Sequence, residues 1–501
     1  MTVTALPDPA RARAPAIAPA VQRWLDRPHD LLIGGHAVPT ASRLASVDPA
    51  TGGVLAEAAC AGPAEIDRAV QAARAAFADR RWAGLHPDVQ ATGLLRVAQL
   101  VEEHADELAE LETLDVGKPF EQSRADIAVV AGIFRYYAGW TTKLHGTTNP
   151  CGDGRLSMTV REPHGVCAGI VPWNYPAVMA ALKIAPPVAT GNSVVLKPAE
   201  QTPFTALRLG ELCAEAGIPD GVVNVVPGNG PEAGQALIDH PGVDHVSFTG
   251  STEVGRRVMR ARAATASPVA LELGGKSATI VFGDADLDTA IAGVARGIWT
   301  NAGQWCVAGT RLLVERSVAA EVVERLVELS AGLRLGHGLD PDTDIGPLVS
   351  AAQRDRVLGY LEVGAAEGGR AVLGGRGCEG DGFFVEPTIL TGLRPTARLA
   401  QEEVFGPVLV VLPFDDDAEA VALANGTPYG LAAGVWTSDL GRAHRTVRAL
   451  EAGMVWVNTY GEFDYGTSYG GFGQSGFGRE LGPYSLDVYT RTKSVLLAVT
   501  A

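Results

Sequence analysis

The chain has 501 residues, of which 47% are apolar and 20% charged, and it carries a formal net charge of −16. A chain of this length and balance predicts two or three domains of ordinary globular composition. The acidic excess, with no overriding cluster of Lys and Arg, excludes a nucleic-acid surface and an anionic membrane surface as partners.

The first 20 residues are rich in Ala and Pro, with Arg11 and Arg13, and lack the continuous apolar core of a signal peptide. A disordered tail is expected there. No apolar run reaches the roughly 18 residues of a membrane span. The six cysteines, Cys60, Cys151, Cys167, Cys213, Cys306 and Cys378, are scattered, with no C-x-x-C pair and no Cys/His cluster. That pattern predicts reduced thiols in the cytoplasm and no metal site, most of the six being small buried hydrophobes.

Residues 66–77 and 91–114 read as amphipathic helices rich in Ala, Leu and Glu. Apolar runs at 166–171 and 193–196 predict buried strands, and 205–216 predicts a helix stopped by Gly217. Residues 222–226 are strand-like and precede Gly228 and Gly230; residues 245–248 are strand-like and precede a turn at 250–255 and a helix. Strands alternating with helices give an α/β fold with a largely parallel sheet. A second alternation begins past Glu272, with a strand at 279–282, a helix at 287–300 and a strand at 311–314, so a domain boundary is placed near residue 274. Residues 490–500 form a β-branched stretch with no evident partner nearby, and such a strand pairs with another domain or another chain.

Several of the intervening loops carry chemistry. Cys306 and Glu272 each sit in small, glycine-rich sequence. A thiolate is a strong nucleophile toward carbonyl carbon, and a carboxylate activates water, so the two fit a nucleophile and a general base. In Pro172-Trp173-Asn174-Tyr175-Pro176 two prolines stiffen a segment holding one amide. A fixed Asn amide is an oxyanion donor, and a structural Asx turn is the alternative. Gly228-Asn229-Gly230-Pro231-Glu232-Ala233 matches G-x-G-x-x-A, a weak signal in so glycine-rich a chain. Phe248-Thr249-Gly250-Ser251 runs from a strand into a helix whose N-terminus suits a diphosphate, or whose Ser251 is simply its N-cap. Glu200, three residues past Lys197 at a strand end, suits ribose hydroxyls or an exposed turn equally. Two other motifs are decoys. Residues 271–277 end like a phosphate-binding P-loop but have Ala270 where its first glycine belongs. Gly466-Thr467-Ser468-Tyr469-Gly470 matches a nucleophile elbow, yet no histidine follows His444 to complete a serine triad in that order.

Taken in order with Gly303-Gln304-Trp305-Cys306, Glu402-Glu403-Val404-Phe405-Gly406-Pro407 and Ser475-Gly476-Phe477-Gly478-Arg479-Glu480, these segments resemble the aldehyde dehydrogenase superfamily from about Trp24 to the C-terminus. The resemblance implies that Cys306 is the nucleophile and Glu272 the base, with Asn174 and the Cys306 N–H as the oxyanion hole. It implies NAD as cofactor, with Lys197 and Glu200 at the adenosine ribose, Ser251 and Gly250 at the diphosphate, Glu403 and Phe405 at the nicotinamide ribose, and Trp173 and Gly230 completing the cofactor wall. Thiolate addition, hydride loss, a thioester and its hydrolysis then follow. Relatives that pass the acyl group to coenzyme A typically lack the glutamate, so its presence favours hydrolysis over acyl transfer. A non-catalytic binding protein, the third reading, would be expected to lack the Cys or the Glu.

The resemblance also implies a Rossmann-like nucleotide-binding domain (21–140 and 164–274), a catalytic domain (275–483), and an oligomerisation arm (141–163 with 484–501) that builds a homodimer or homotetramer. One stretch departs from the family: Ser468 to Gly473 replaces the common Pro-Phe-Gly-Gly-x-Lys. Outer segments resemble bacterial phenylacetaldehyde dehydrogenases. Tyr175, Trp305, Phe463 and Tyr469 are expected to line the substrate funnel, which suits an aromatic or extended apolar aldehyde. Aromatic walls also suit a quaternary ammonium. The betaine-aldehyde type, however, carries tryptophans where this chain has Leu182 and Thr300.

Overall fold

The computed structural model describes residues 15–498. Two twisted sheets, each flanked by helices, are joined where the chain passes from Glu272 to Ala278. The first has eight strands, in the order His36–Val38, Leu31–Ile33, Val223–Val225, Ser193–Lys197, Val166–Ile170, His245–Thr249, Val269–Glu272 and Gly476–Phe477. Its five central strands run parallel, and the edges are antiparallel. All five residues of Val166–Ile170 are buried, as a strand covered on both faces requires.

Along the chain, those five strands take the spatial order third, second, first, fourth, fifth, the Rossmann-like winding. The order reverses between Val166–Ile170 and His245–Thr249. Ligands of such sheets sit outside the carboxyl ends of the strands at that reversal. Trp173 and Asn174 leave from one of the two strands, and Gly250 and Ser251 from the other.

The second sheet has seven strands, in the order Arg370–Leu373, Thr388–Thr391, Val408–Phe414, Arg311–Glu315, Ala278–Val281, Ala432–Trp436 and Met454–Val457, all parallel except the first. A small third sheet pairs Thr490–Ala498 antiparallel with Arg155–Pro163, in register from Thr490↔Pro163 to Ala498↔Arg155. The terminal strand thus finds its partner within the chain.

Several expectations shift. Residues 91–114 form two helices, Pro87–Glu103 and Ala105–Val116, because His104 leaves the helical region (φ −109, ψ 21). Gly255 lies inside the helix Thr252–Ala263, where its missing Cβ admits Leu273, so the turn before that helix is short. Pro176 does not stiffen a loop but opens the helix Pro176–Ala189, at a position where its absent N–H costs nothing. The stretch expected as a tail overlaps a helix at Pro19–Leu25, and its residues 1–14 lie outside those described. Among the described residues no helix is long and apolar enough to cross a membrane, and no group of His, Cys, Asp and Glu could hold a metal ion.

Candidate active site

The loop leading to Cys306 is built against its own backbone preferences. Asn301, Ala302 and Gly303 take φ of 48°, 53° and 71°, the left-handed region. The two non-glycine residues each cost on the order of 1–2 kcal/mol. Hydrogen bonds hold them there. Asn301 Nδ2 donates to the Asn174 carbonyl at 2.9 Å, and the Asn301 N–H donates to Gln122 Oε1 at 3.0 Å. The buried Gln304 side chain donates to the Asn301 carbonyl at 3.1 Å and accepts from the Val349 N–H at 2.9 Å. At Gly303 a Cβ would run into the Gly406 carbonyl, so glycine is required by position as well as by φ.

Asn174 is 4% exposed, and its Nδ2 donates to the Gln304 carbonyl at 2.9 Å. This bond reaches across the fold, so the amide is fixed by tertiary contact and not by a local Asx turn. The Cys306 Sγ lies 2.9 Å from the Tyr469 hydroxyl. Burial pushes the Cys306 thiol up to about 12; the Tyr469 hydrogen bond pulls it down, while the negative charges of Glu403 and Glu272 push it further up.

Glu272 ends its strand, between Thr249 on one side and Gly476 on the other, and is 3% exposed. Its carboxylate lies against Gly470, where an added Cβ would stand 2.8 Å from Oε1. Neither oxygen accepts a well-formed hydrogen bond from protein groups; the Gly471 backbone offers only a weak one. Burial therefore holds the carboxyl well above its usual range; Glu480 adds to this, and Lys183 and Arg479 oppose it. Thiol and carboxylate thus meet the adjacent residues Tyr469 and Gly470.

Two buried charge clusters support this arrangement, and neither was singled out from the sequence. Lys183 pairs with Glu480 and donates to Ser247 Oγ at 2.8 Å. A lone lysine in the otherwise apolar helix Pro176–Ala189 was the available signal for it. Lys118 pairs with Glu112 at 3.0 Å and Asp126 at 2.7 Å, and its Nζ sits 4.1 Å from the centre of the Tyr175 ring. Glu112 also accepts from the Ala177 N–H at 3.3 Å, tying this cluster to the helix that follows Asn174. A buried charge stripped of its partner costs about 3–5 kcal/mol, so these groups hold one another in place.

The four aromatic residues come together as expected. Successive ring centres are 6.3 Å apart from Tyr175 to Trp305, 6.2 Å from Trp305 to Phe463 and 5.8 Å from Phe463 to Tyr469. Leu182 is buried, and the Thr300 hydroxyl is spent on the Arg296 carbonyl at 2.7 Å.

The residues expected around NAD also fit such a group. Glu403 Oε1 accepts from the Gly275 N–H at 3.0 Å, and any Cβ at Gly274 would occupy the place of its carboxylate. Burial raises Glu403 to about 7. Phe405 holds φ at 62°, its carbonyl accepting from Gln353 Nε2 at 2.7 Å, and its ring meets Trp173 edge-on at 5.2 Å. Lys197 is buried, with Nζ 2.9 Å from the Pro198 carbonyl and 3.6 Å from the half-exposed Glu200 carboxylate. Burial lowers the pKa of Lys197. Ser251 caps the helix Thr252–Ala263 by accepting from the Val254 N–H at 3.3 Å, so the capping alternative is realised on the same helix end that suits a diphosphate. Gly230 opens a wide π turn, Gly230–Gly234, capped by Asn229 and ending beside the Lys197 side chain. Nothing stands within 4 Å of a Cβ built on Gly230, so that position is open.

The chain is similar to known proteins over most of its length. The model of the aldehyde dehydrogenase family matches residues 37–495. DhaS of Bacillus subtilis (strain 168), a protein named provisionally as an aldehyde dehydrogenase, is 45% identical over 478 residues, 95% of this chain and 97% of its own. The NAD+ complex of an aldehyde dehydrogenase from Bacillus cereus superposes with a TM-score of 0.96 at 45% identity, covering 97% of this chain and 99% of that one. An indole-3-acetaldehyde dehydrogenase with NAD+ superposes with a TM-score of 0.93 at 44% identity, covering 95% of this chain and 98% of that one.

Proposed function

Since this chain belongs to the aldehyde dehydrogenase family, we propose that it oxidises an aromatic or extended apolar aldehyde to the carboxylic acid through a covalent adduct on Cys306. The enzyme is NAD-dependent, as the family and the NAD+ complexes of similar structures indicate. One observation carries the reading of the site: a half-buried thiol and a buried carboxylate meet adjacent residues of one loop, with the thiol two residues past the Gln304 carbonyl that fixes the Asn174 amide.

In this reading the Cys306 thiolate adds to the aldehyde carbon. The Asn174 amide and the Cys306 N–H take up the charge on the oxygen. NAD, when bound, supplies the hydride acceptor that turns the adduct into a thioester. Trp173, Lys197, Glu200, Gly230, Gly250, Ser251, Glu403 and Phe405 are the residues that would hold it. Glu272, held above the usual carboxylate range by burial, takes a proton from water, which attacks the thioester and frees the acid and the thiolate. The partition into nucleotide-binding, catalytic and arm regions is supported by the two large sheets and the sheet of the terminal strand, except that Gly476–Phe477, expected in the catalytic region, pairs into the first sheet beside Glu272. Homo-oligomerisation through the arm is supported by exposed Leu496 and Leu497 on the terminal strand. A cytoplasmic location is supported by six free cysteines.

The ring series Tyr175–Trp305–Phe463–Tyr469 supports the apolar substrate. Leu182 and Thr300 leave a cation cage open on two sides, and each missing cation–π contact is worth about 0.5–2 kcal/mol. Phenylacetaldehyde or hexanal is therefore expected to exceed betaine aldehyde in kcat/KM by roughly tenfold or more. NADH absorbance across that panel, with and without coenzyme A, is the test. A maximum for betaine aldehyde overturns the substrate reading; dependence on coenzyme A overturns hydrolysis.

NAD is expected to outperform NADP. A 2′-phosphate would meet the Glu200 carboxylate and displace the hydroxyl that it can accept from. The kcat/KM ratio of the two cofactors decides this, and a ratio near one or in favour of NADP refutes it.

A further inference from the structure

We propose that the Tyr469 hydroxyl is a catalytic hydrogen-bond donor to the Cys306 sulfur, stabilising the thiolate before it attacks and again when it leaves the thioester. The inference rests on Cys306 being the nucleophile. The contact is 2.9 Å, short for a bond to sulfur, and it is made by a tyrosine that is 6% exposed. The phenol is held rigidly. Its backbone N–H donates to the Glu480 carbonyl at 2.6 Å, and the Glu480 N–H returns the bond at 2.7 Å. The same two-residue bridge carries the Glu480 carboxylate that acts on Glu272, so it serves nucleophile and base together.

The surroundings leave this role to fill. Glu403 and Glu272 face the sulfur with negative charge, the phenols of Tyr175 and Tyr460 also feel it, and the Val307 N–H is the other group that favours the thiolate. Beside Tyr469 itself stand Glu272 and Glu480, both of which oppose loss of the phenol proton. A thiol is ordinarily the stronger acid of the two, and burial holds the Tyr469 phenol well above 10. The first proton lost by the pair is therefore the thiol's, and the phenol remains the donor.

The balance of effects favours catalysis. Lowering a thiol by one pKa unit gives about tenfold more thiolate and costs roughly threefold in nucleophilicity, a net gain of about threefold below the thiol pKa. The same bond helps the sulfur depart when water attacks the thioester, since a more stable thiolate is the better leaving group.

Tyr469→Phe removes one oxygen and keeps the ring. The test follows alkylation of Cys306 by iodoacetamide from neutral to alkaline pH, reading the Cys306 peptide by mass spectrometry so that the exposed Cys151 does not interfere. The phenylalanine variant is expected to shift the profile alkaline by about one unit and to slow labelling at neutral pH by about threefold. 3-Fluorotyrosine at position 469, a modestly more acidic phenol that remains the donor while burial holds it up, is expected to shift the profile the other way, and it still reads the bond if the phenylalanine variant folds poorly. A packing role for Tyr469 would change aldehyde KM and leave both profiles in place. Superimposable profiles across the set overturn the proposal. Cys306→Ala separates the two readings: retained turnover removes the nucleophile assignment, whereas loss of turnover with unmoved profiles removes only the role of Tyr469.

Discussion

Cys306→Ala is expected to abolish aldehyde oxidation and leave NAD binding intact. The thiol is the single covalent handle in the mechanism, and removing such a nucleophile costs on the order of 10^4- to 10^6-fold in turnover. The residues assigned to the cofactor stand on other elements: Lys197 ends its own strand, Ser251 opens the helix Thr252–Ala263, and Glu403 is fixed to the Gly275 N–H. Their geometry does not depend on the sulfur. Steady-state NADH production measures the loss, and quenching of intrinsic fluorescence by NAD measures the retained binding. Near-normal turnover in this variant would refute the assignment.

The second large effect is expected at Glu272→Gln, which keeps shape and volume and removes the base. General-base catalysis is worth about 10^2- to 10^4-fold. It enters only after the thioester has formed. A rapid burst of NADH close to one per active site is therefore expected, followed by a steady state slower by that factor. Stopped-flow absorbance reads both phases. Burial and the Glu480 charge hold the Glu272 carboxyl well above its usual range, which makes its carboxylate a stronger base than an exposed one. Equal loss of burst and steady state would mean that Glu272 positions other groups and does not activate water.

The parallel core was legible because its strands are short apolar runs between glycines and prolines, as at Val166–Ile170 and Ser193–Lys197, and burial on both faces demands that composition. The proposed nucleophile and base stood out because Cys306 and Glu272 sit in runs of small residues. Other features depend on contacts that local pattern does not encode. The break at His104 interrupts an unbroken amphipathic pattern and is visible only in its backbone angles. The pairs Lys183–Glu480 and Lys118–Asp126 join residues whose partners no local pattern names: Lys183 stands out in its apolar helix but without its partner, and Lys118 alone resembles an ordinary surface residue. Tyr469 was expected as an apolar wall because its ring is the larger part of it; that its hydroxyl reaches sulfur depends on the bridge to Glu480. Gly274 was visible only as part of the stretch 271–277 near the domain boundary, whereas its place in the fold is to leave room for Glu403.

The strand Gly476–Phe477 closes the edge of the first sheet beside Glu272, although every other strand of that sheet precedes the second sheet in the chain. A ribosome therefore releases Glu272 long before the segment that flanks it. The last strand can dock only after the chain has traversed the second sheet, and such non-local closure is slow to nucleate. The loop bearing Tyr469 and Gly470 arrives with that strand. The site is thus completed by the late stitching of the two halves, and a partly folded chain holds a thiol and a carboxylate with neither yet set for reaction. Reactivity toward aldehydes is in this way tied to the end of folding.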